Sequence, residues 1–76
     1  MSLTCFDSQE KQNEFLLGYK FEPDTRNERR YLRDKIKLQV TTSDTISLWC
    51  ELLCDFKGYQ IITLNDLKNA INSYMS

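Results

Sequence analysis

The sequence contains no histidine, so across 76 residues it lacks the commonest general base and the commonest metal ligand. The phosphate-cradling glycine loop, the dinucleotide-binding glycine pattern and paired CxxC zinc motifs are also missing. No serine or cysteine has an obvious base beside it in sequence to activate it as a nucleophile. Carboxylate pairs could be picked out, but any small domain with 11 acidic residues offers some. The chain is therefore expected to bind, not to catalyse, and to need no cofactor. No apolar run reaches the roughly 18 residues that a membrane-spanning helix requires. The N-terminus has no basic stretch leading into an apolar one, so no secretion signal is expected. One proline and two glycines leave little room for a linker. The three cysteines, Cys5, Cys50 and Cys54, are odd in number and irregularly spaced, which is not a disulfide framework. Reduced cysteines and a cytoplasmic (or nuclear) location are the corresponding expectation.

What is present is enough for one domain spanning residues 1–76. A domain of this size buries only about 60% of its unfolded surface, and its stability is expected to be about 3–5 kcal/mol. Apolar residues at 41% and charged residues at 28% suit a globular chain and argue against disorder. The net charge is −1, but the charges are segregated. Residues 25–37 carry six cations (Arg26, Arg29, Arg30, Arg33, Lys35 and Lys37) against Glu28 and Asp34. The segments before and after are both acidic.

Four positions carry helix-start chemistry, in which a side-chain oxygen accepts from unpaired N–H groups and an acid meets the positive end of the helix. They are Asp7-x-x-Glu10 with Gly18 as the stop, Thr25-x-x-Glu28, Ser43 or Asp44 with Gly58 as the stop, and Thr63-x-x-Asp66. In the last segment Leu64, Leu67, Ile71, Tyr74 and Met75 recur at steps of three and four, the signature of an amphipathic helix. Residues 35–41 alternate strictly, as a strand does, although Leu32, Ile36 and Val40 also suit a helix begun at Arg26. Residues 46–56 fit either period, and the cap before them, the glycine after them and their leucines favour helix. Residues 59–63 suit a short extended piece. Cys50-x-x-x-Cys54 on one helix face suits two small buried apolar side chains better than a metal or redox pair.

On a helix, Arg26, Arg29, Arg30, Arg33 and Lys37 would form one basic stripe for nucleic acid or an acidic partner. Residues 50–69 can also be fitted to a helix-turn-helix whose second helix presents Asn65, Lys68, Asn69 and Asn72 to bases. Lys57 and Gln60 depart from that motif.

The stretch DFKGYQIITLNDL, Asp55 to Leu67, resembles an EF-hand loop: carboxylates Asp55 and Asp66 stand at its first and twelfth positions, β-branched Ile62 at the eighth, and Thr63 at the ninth. Thr25-x-x-Glu28 precedes Thr63-x-x-Asp66 by 38 residues, close to the repeat of paired hands. The layout is similar to a single lobe of the calmodulin and myosin light chain type. That resemblance implies a mostly all-α fold of four short helices, with at most a short two-stranded β element; the alternative is a small α+β domain. Lys57 and Tyr59 stand where oxygen ligands belong, and Gln60 stands where the turn glycine belongs, so no calcium or other metal binding is expected. The resemblance then implies a calcium-independent, light-chain-like adaptor holding a basic amphipathic helix, such as the IQ-type neck segment of an unconventional myosin. Its groove would be lined by Phe15, Leu16, Ile36, Trp49, Leu53, Leu67, Ile71 and Met75. The alternatives are a small nucleic-acid-binding helix-turn-helix protein and an inhibitory or structural protein docked on a larger assembly. The expected partner is a protein, an amphipathic helix such as a myosin heavy-chain neck; neither a nucleic-acid partner nor membrane insertion is expected.

Overall fold

A computed structural model describes residues 2–52 and 55–75, and only the backbone of Met75. Helix α1 (Gln9–Gly18) is followed by five strands: β1 (Glu22–Asp24), β2 (Asn27–Arg33), β3 (Ile36–Thr42), β4 (Thr45–Cys50) and β5 (Asp55–Gln60). Helix α2 (Leu64–Met75) closes the order. The strands form one antiparallel sheet in the order β1-β2-β3-β4-β5, each pairing with its sequence neighbour. This is an α+β fold, and it overturns the expected four-helix, EF-hand-like architecture.

Two of the four predicted helix starts are turns between strands. Thr25 lies between β1 and β2, where Asp24 Oδ1 accepts from the Arg26 N–H at 2.9 Å. Ser43 and Asp44 lie between β3 and β4, where Thr42 Oγ1 donates to Asp44 Oδ1 at 2.8 Å. The physical reason is shared chemistry: a short polar side chain that accepts a nearby N–H serves a turn as well as a helix cap. Residues 46–56 also depart from the helical expectation, and β4 occupies most of that range. There Ile46, Leu48 and Cys50 are buried on the core side, as period two requires, with Ser47 and Trp49 opposite. Gly58 sits inside β5 and stops no helix.

The alternation of residues 35–41 does produce strand β3, with Leu38 and Val40 fully buried. Registers Tyr31↔Leu38↔Leu48 and Val40↔Ile46 place these side chains on one face of the sheet. Leu16 from α1 and Leu67, Ala70 and Ile71 from α2 join the same cluster, so both helices cover that face. Leu3, Phe21 and Ile61 seal its borders.

The helix ends follow local rules. Ser8 is the N-cap of α1, its Oγ accepting from the Lys11 N–H at 3.3 Å. At the other end the left-handed residue is Lys20 (φ 67°), two positions past the predicted Gly18 stop. The Lys20 N–H donates to Leu17 O and the Phe21 N–H to Leu16 O, both at 2.9 Å, and buried Phe21 lies in the same core cluster as Leu16. These are the two bonds of a Schellman ending.

The predicted cap of α2 is present as a reciprocal box. The Asp66 N–H donates to Thr63 Oγ1 at 3.2 Å, and Asp66 Oδ2 accepts from the Thr63 and Ile62 N–H groups at 3.0 and 3.1 Å. Those N–H bonds from Thr63 and Ile62 hold the Asp66 carboxyl below its ordinary pKa of 3.8. A depressed carboxylate adds stability above that ordinary value and loses it as pH falls through the folded pKa. Thr63→Ala is expected to cost about 0.5–2 kcal/mol in urea melts at pH 7. Asp66→Asn should flatten the acid limb of stability against pH below 4; an unchanged limb would refute this role.

Candidate functional site

The sheet face away from the helices is open. Its registers place two cross-strand rows side by side. One row runs Glu22, Leu32, Lys37, Trp49 and Phe56; the next runs Arg30, Gln39, Ser47 and Gly58. Directly opposed residues on neighbouring strands have Cβ atoms about 4.5–5.5 Å apart, so the side chains within each row are cross-strand neighbours. Between the rows lies a shallow depression of about 280 Å³, lined by Arg30, Lys37, Gln39, Ser47, Trp49 and Phe56.

Each side chain owes its place to the hairpins. The two-residue β2–β3 turn, with Asp34 in the left-handed region (φ 51°), sets Arg30 opposite Gln39. The β3–β4 turn is anchored on both sides: Ser43 O accepts from the Thr4 N–H at 2.8 Å, and Asp44 O from the Ile61 N–H at 2.6 Å. That anchoring keeps Lys37 opposite Trp49. Phe56 is 64% exposed, a large apolar side chain left in water on the side with no helix. Ser47 lines the depression, and Gly58 stands opposite it on β5 without lining it. A Cβ built at Gly58 would meet nothing closer than Ile46 O at 3.9 Å, so the position takes a side chain without a clash.

Two cations stand at the rim. Lys37 Nζ lies 5.2 Å from the centre of the Trp49 ring. Arg30 Nη1 lies 3.7 Å from Asp24 Oδ2, a loose, partly exposed pair that anchors the guanidinium beside the depression. The predicted single basic stripe is divided by strand alternation. Arg30 and Lys37 face the depression, Arg26 and Lys35 lie in turns, and Arg33 reaches back, its Nη1 donating to Tyr19 O at 2.9 Å. Acidic Asp7, Glu10 and Glu14 lie at α1, on the helix-bearing side.

The eight residues expected to line a helix groove do not share one. Leu16, Leu67 and Ile71 are closed core, and Ile36 packs partly buried against it. Phe15 stands in an aromatic row with Phe6 at 5.5 Å and Tyr19 at 5.3 Å, beside a groove that also takes in Cys5 and Leu64. Trp49 is on the opposite face. Leu53, the side chain of Met75 and Cys54 lie outside the described residues, and Cys50 is buried. Burial pushes the Cys5 thiol above its ordinary pKa, which makes it a poor nucleophile.

The EF-hand reading fails at its loop: residues 55–60 are a strand, and Asp66 caps a helix. The myosin light chain and IQ-segment expectations lose their basis with it. The helix-turn-helix reading fails for the same reason, although Asn65, Lys68, Asn69 and Asn72 are exposed on α2. Among the described residues no group of three or more metal-ligating side chains converges, and no helix is long and apolar enough to cross a membrane. Sequence reasoning picked out Trp49 and the basic run but missed Phe56, Gln39, Ser47 and Gly58. Their only signal was alternation through residues 36–60. No protein-family model, curated protein or solved structure matches the chain.

Proposed function

We propose that the open sheet face binds single-stranded nucleic acid. The observation that carries this reading is the Lys37–Trp49–Phe56 row, which lines one depression together with Arg30, Gln39 and Ser47. Two neighbouring rings provide stacking surfaces for successive bases, and stacking tolerates any base. Lys37 and Arg30 supply charge for the phosphates on either side. The Gln39 amide and Ser47 hydroxyl can meet base edges in the depression. Besides the two cations, the lining groups are an amide, a hydroxyl and two rings. None of these is a general base, so binding is the chemistry the site supports. A flat sheet face suits an unpaired strand whose bases are free to splay.

Trp49, the single tryptophan, is the reporter. Titrating oligo-dT or oligo-U should quench its fluorescence. The logarithm of affinity should fall against the logarithm of salt with a slope of about −1.4, the value for two phosphates neutralised on a single strand. Phe56→Ala should weaken binding roughly 5- to 150-fold, the loss of one stacked base. Gly58→Val should add a side chain opposite Ser47, at the border of the depression, and weaken binding while leaving melting unchanged or raised, because valine favours strands. No quenching at low salt, or equal binding by Gly58→Val, overturns the proposal. Quenching by polyglutamate but not by oligonucleotides would reassign the face to an acidic protein segment.

A further inference from the structure

The two edges of the sheet differ in construction. Strand β1 has three residues, contains Pro23, and is bulged at Pro23/Asp24. Short length, proline and bulges are the devices by which proteins stop an edge from pairing with another chain. Strand β5 has six residues and none of these devices; its residues 55–58 are all exposed. Its guards are the charges of Lys57 and Asp55 and the Tyr74 hydroxyl, which donates to Asp55 O at 3.3 Å; a lysine on an edge normally repels a second copy. Here it has company. Asp55 lies two residues away, on the same side of the strand, opposite Cys50 as Lys57 is opposite Leu48. Neither takes part in the Lys11–Asp7 or Arg30–Asp24 ion pair. The Asp55 carboxylate instead accepts from the Phe56 N–H at 2.9 Å, a local bond within the edge.

We infer that two copies of the chain pair antiparallel through β5, about a two-fold axis at Phe56. A two-fold axis perpendicular to the sheet keeps each face on its own side, so it requires a residue to sit opposite itself. With Phe56 opposite Phe56 of the second copy, Asp55 of each copy stands opposite Lys57 of the other. Two ion pairs form on the helix side, and the lysine that guards the edge is neutralised. On the open side the row Lys37–Trp49–Phe56 continues into its symmetry mate, giving four rings in line with a cation at each end. The ladder is three residues long, the length by which β1 already joins this sheet. Placing the axis at Lys57 would oppose two ammonium groups, and placing it at Gly58 would leave Lys57 facing Tyr59; neither brings the carboxylates into use. The inference goes beyond nucleic-acid binding and does not depend on it.

Sedimentation of the full chain without nucleic acid tests it. The wild type should show a concentration-dependent monomer–dimer equilibrium. Lys57→Asp and Asp55→Lys should each weaken self-association about tenfold or more, because each reverses both pairs. Mixing the two variants should restore association as a heterodimer, since every 55–57 pair is then again opposite in sign. Both positions are exposed, and circular dichroism verifies that the variants fold. A monomeric wild type at hundreds of micromolar, a dimer indifferent to either variant, or a mixture no more associated than its components overturns the inference. Oligonucleotide binding by a monomeric wild type would leave the binding face intact while refuting the dimer.

Discussion

Leu48→Ala should leave much of the protein unfolded at room temperature. Leu48 is fully buried in β4, opposite fully buried Leu38, beneath the layer to which α1 and α2 both contribute. Removing a buried leucine side chain costs about 2–5 kcal/mol, combining lost transfer energy with the cavity left behind. A domain of this size has only about 3–5 kcal/mol to lose. The two figures overlap, so the variant should show a reduced far-ultraviolet signal without denaturant and a urea midpoint near zero. Leu52→Ala is the control: its side chain is 73% exposed, and such surface changes stay within about 0.5 kcal/mol. A Leu48→Ala midpoint close to that of wild type would show that the helices and sheet do not share one core.

Tyr31→Phe should cost about 1 kcal/mol at neutral pH and flatten the alkaline limb of the stability profile. Tyr31 is fully buried in β2, and its hydroxyl is the hub of a polar network. It accepts from Gln12 Nε2 and Gln9 Nε2, each at 2.9 Å, and donates to Asn13 Oδ1. Gln12, also fully buried, accepts the Leu3 N–H on its Oε1 at 2.7 Å, so one amide joins the N-terminal segment, α1 and the sheet. Burial raises the Tyr31 pKa above its ordinary value of 10.0, and this outweighs the lowering by the two glutamine donors. A raised tyrosine keeps its proton in the fold after the unfolded chain has released it. Its contribution is therefore complete below pH 10 and is lost as pH climbs towards the folded value, by about 1.4 kcal/mol per pH unit for one proton. Tyr74, raised chiefly by burial too, adds to the same limb, so Tyr31→Phe should reduce the slope without abolishing it. Urea melts between pH 8 and 11 measure the difference, and parallel profiles for the two proteins would refute the assignment. Gln12→Leu should cost about 1–3 kcal/mol at every pH, because it leaves the buried Leu3 N–H without its acceptor.

The elements that could be read in advance were those whose causes are local. Helix α2 was legible because Thr63 and Asp66 satisfy each other's N–H groups and Leu67 and Ile71 repeat within one turn of helix. Strand β3 was legible as one of two readings, from its unbroken alternation. Residues 46–56 misled because a glycine, a threonine-rich turn and a mixed period suit either state, and the core decided between them. Burying Ile46 and Leu48 beside Leu38 requires a strand on β3; a helix there would leave the β3 edge unpaired. The EF-hand likeness failed for a related reason: matching residue types at two loop positions places no constraint on the backbone between them.

Composition determined the absence of histidine and of nucleotide-binding glycines, which no folding step alters. The sequence alone also determined the cap of α2 and the segregation of cations into residues 25–37. Only the tertiary structure decided where those cations point and what they stand beside. Lys37, Trp49 and Phe56 belong to three strands, and their order across the sheet is a consequence of hairpin register. Register is set by turn geometry together with the demand that one whole face be buried, and a shift of one residue would exchange the core for the open face.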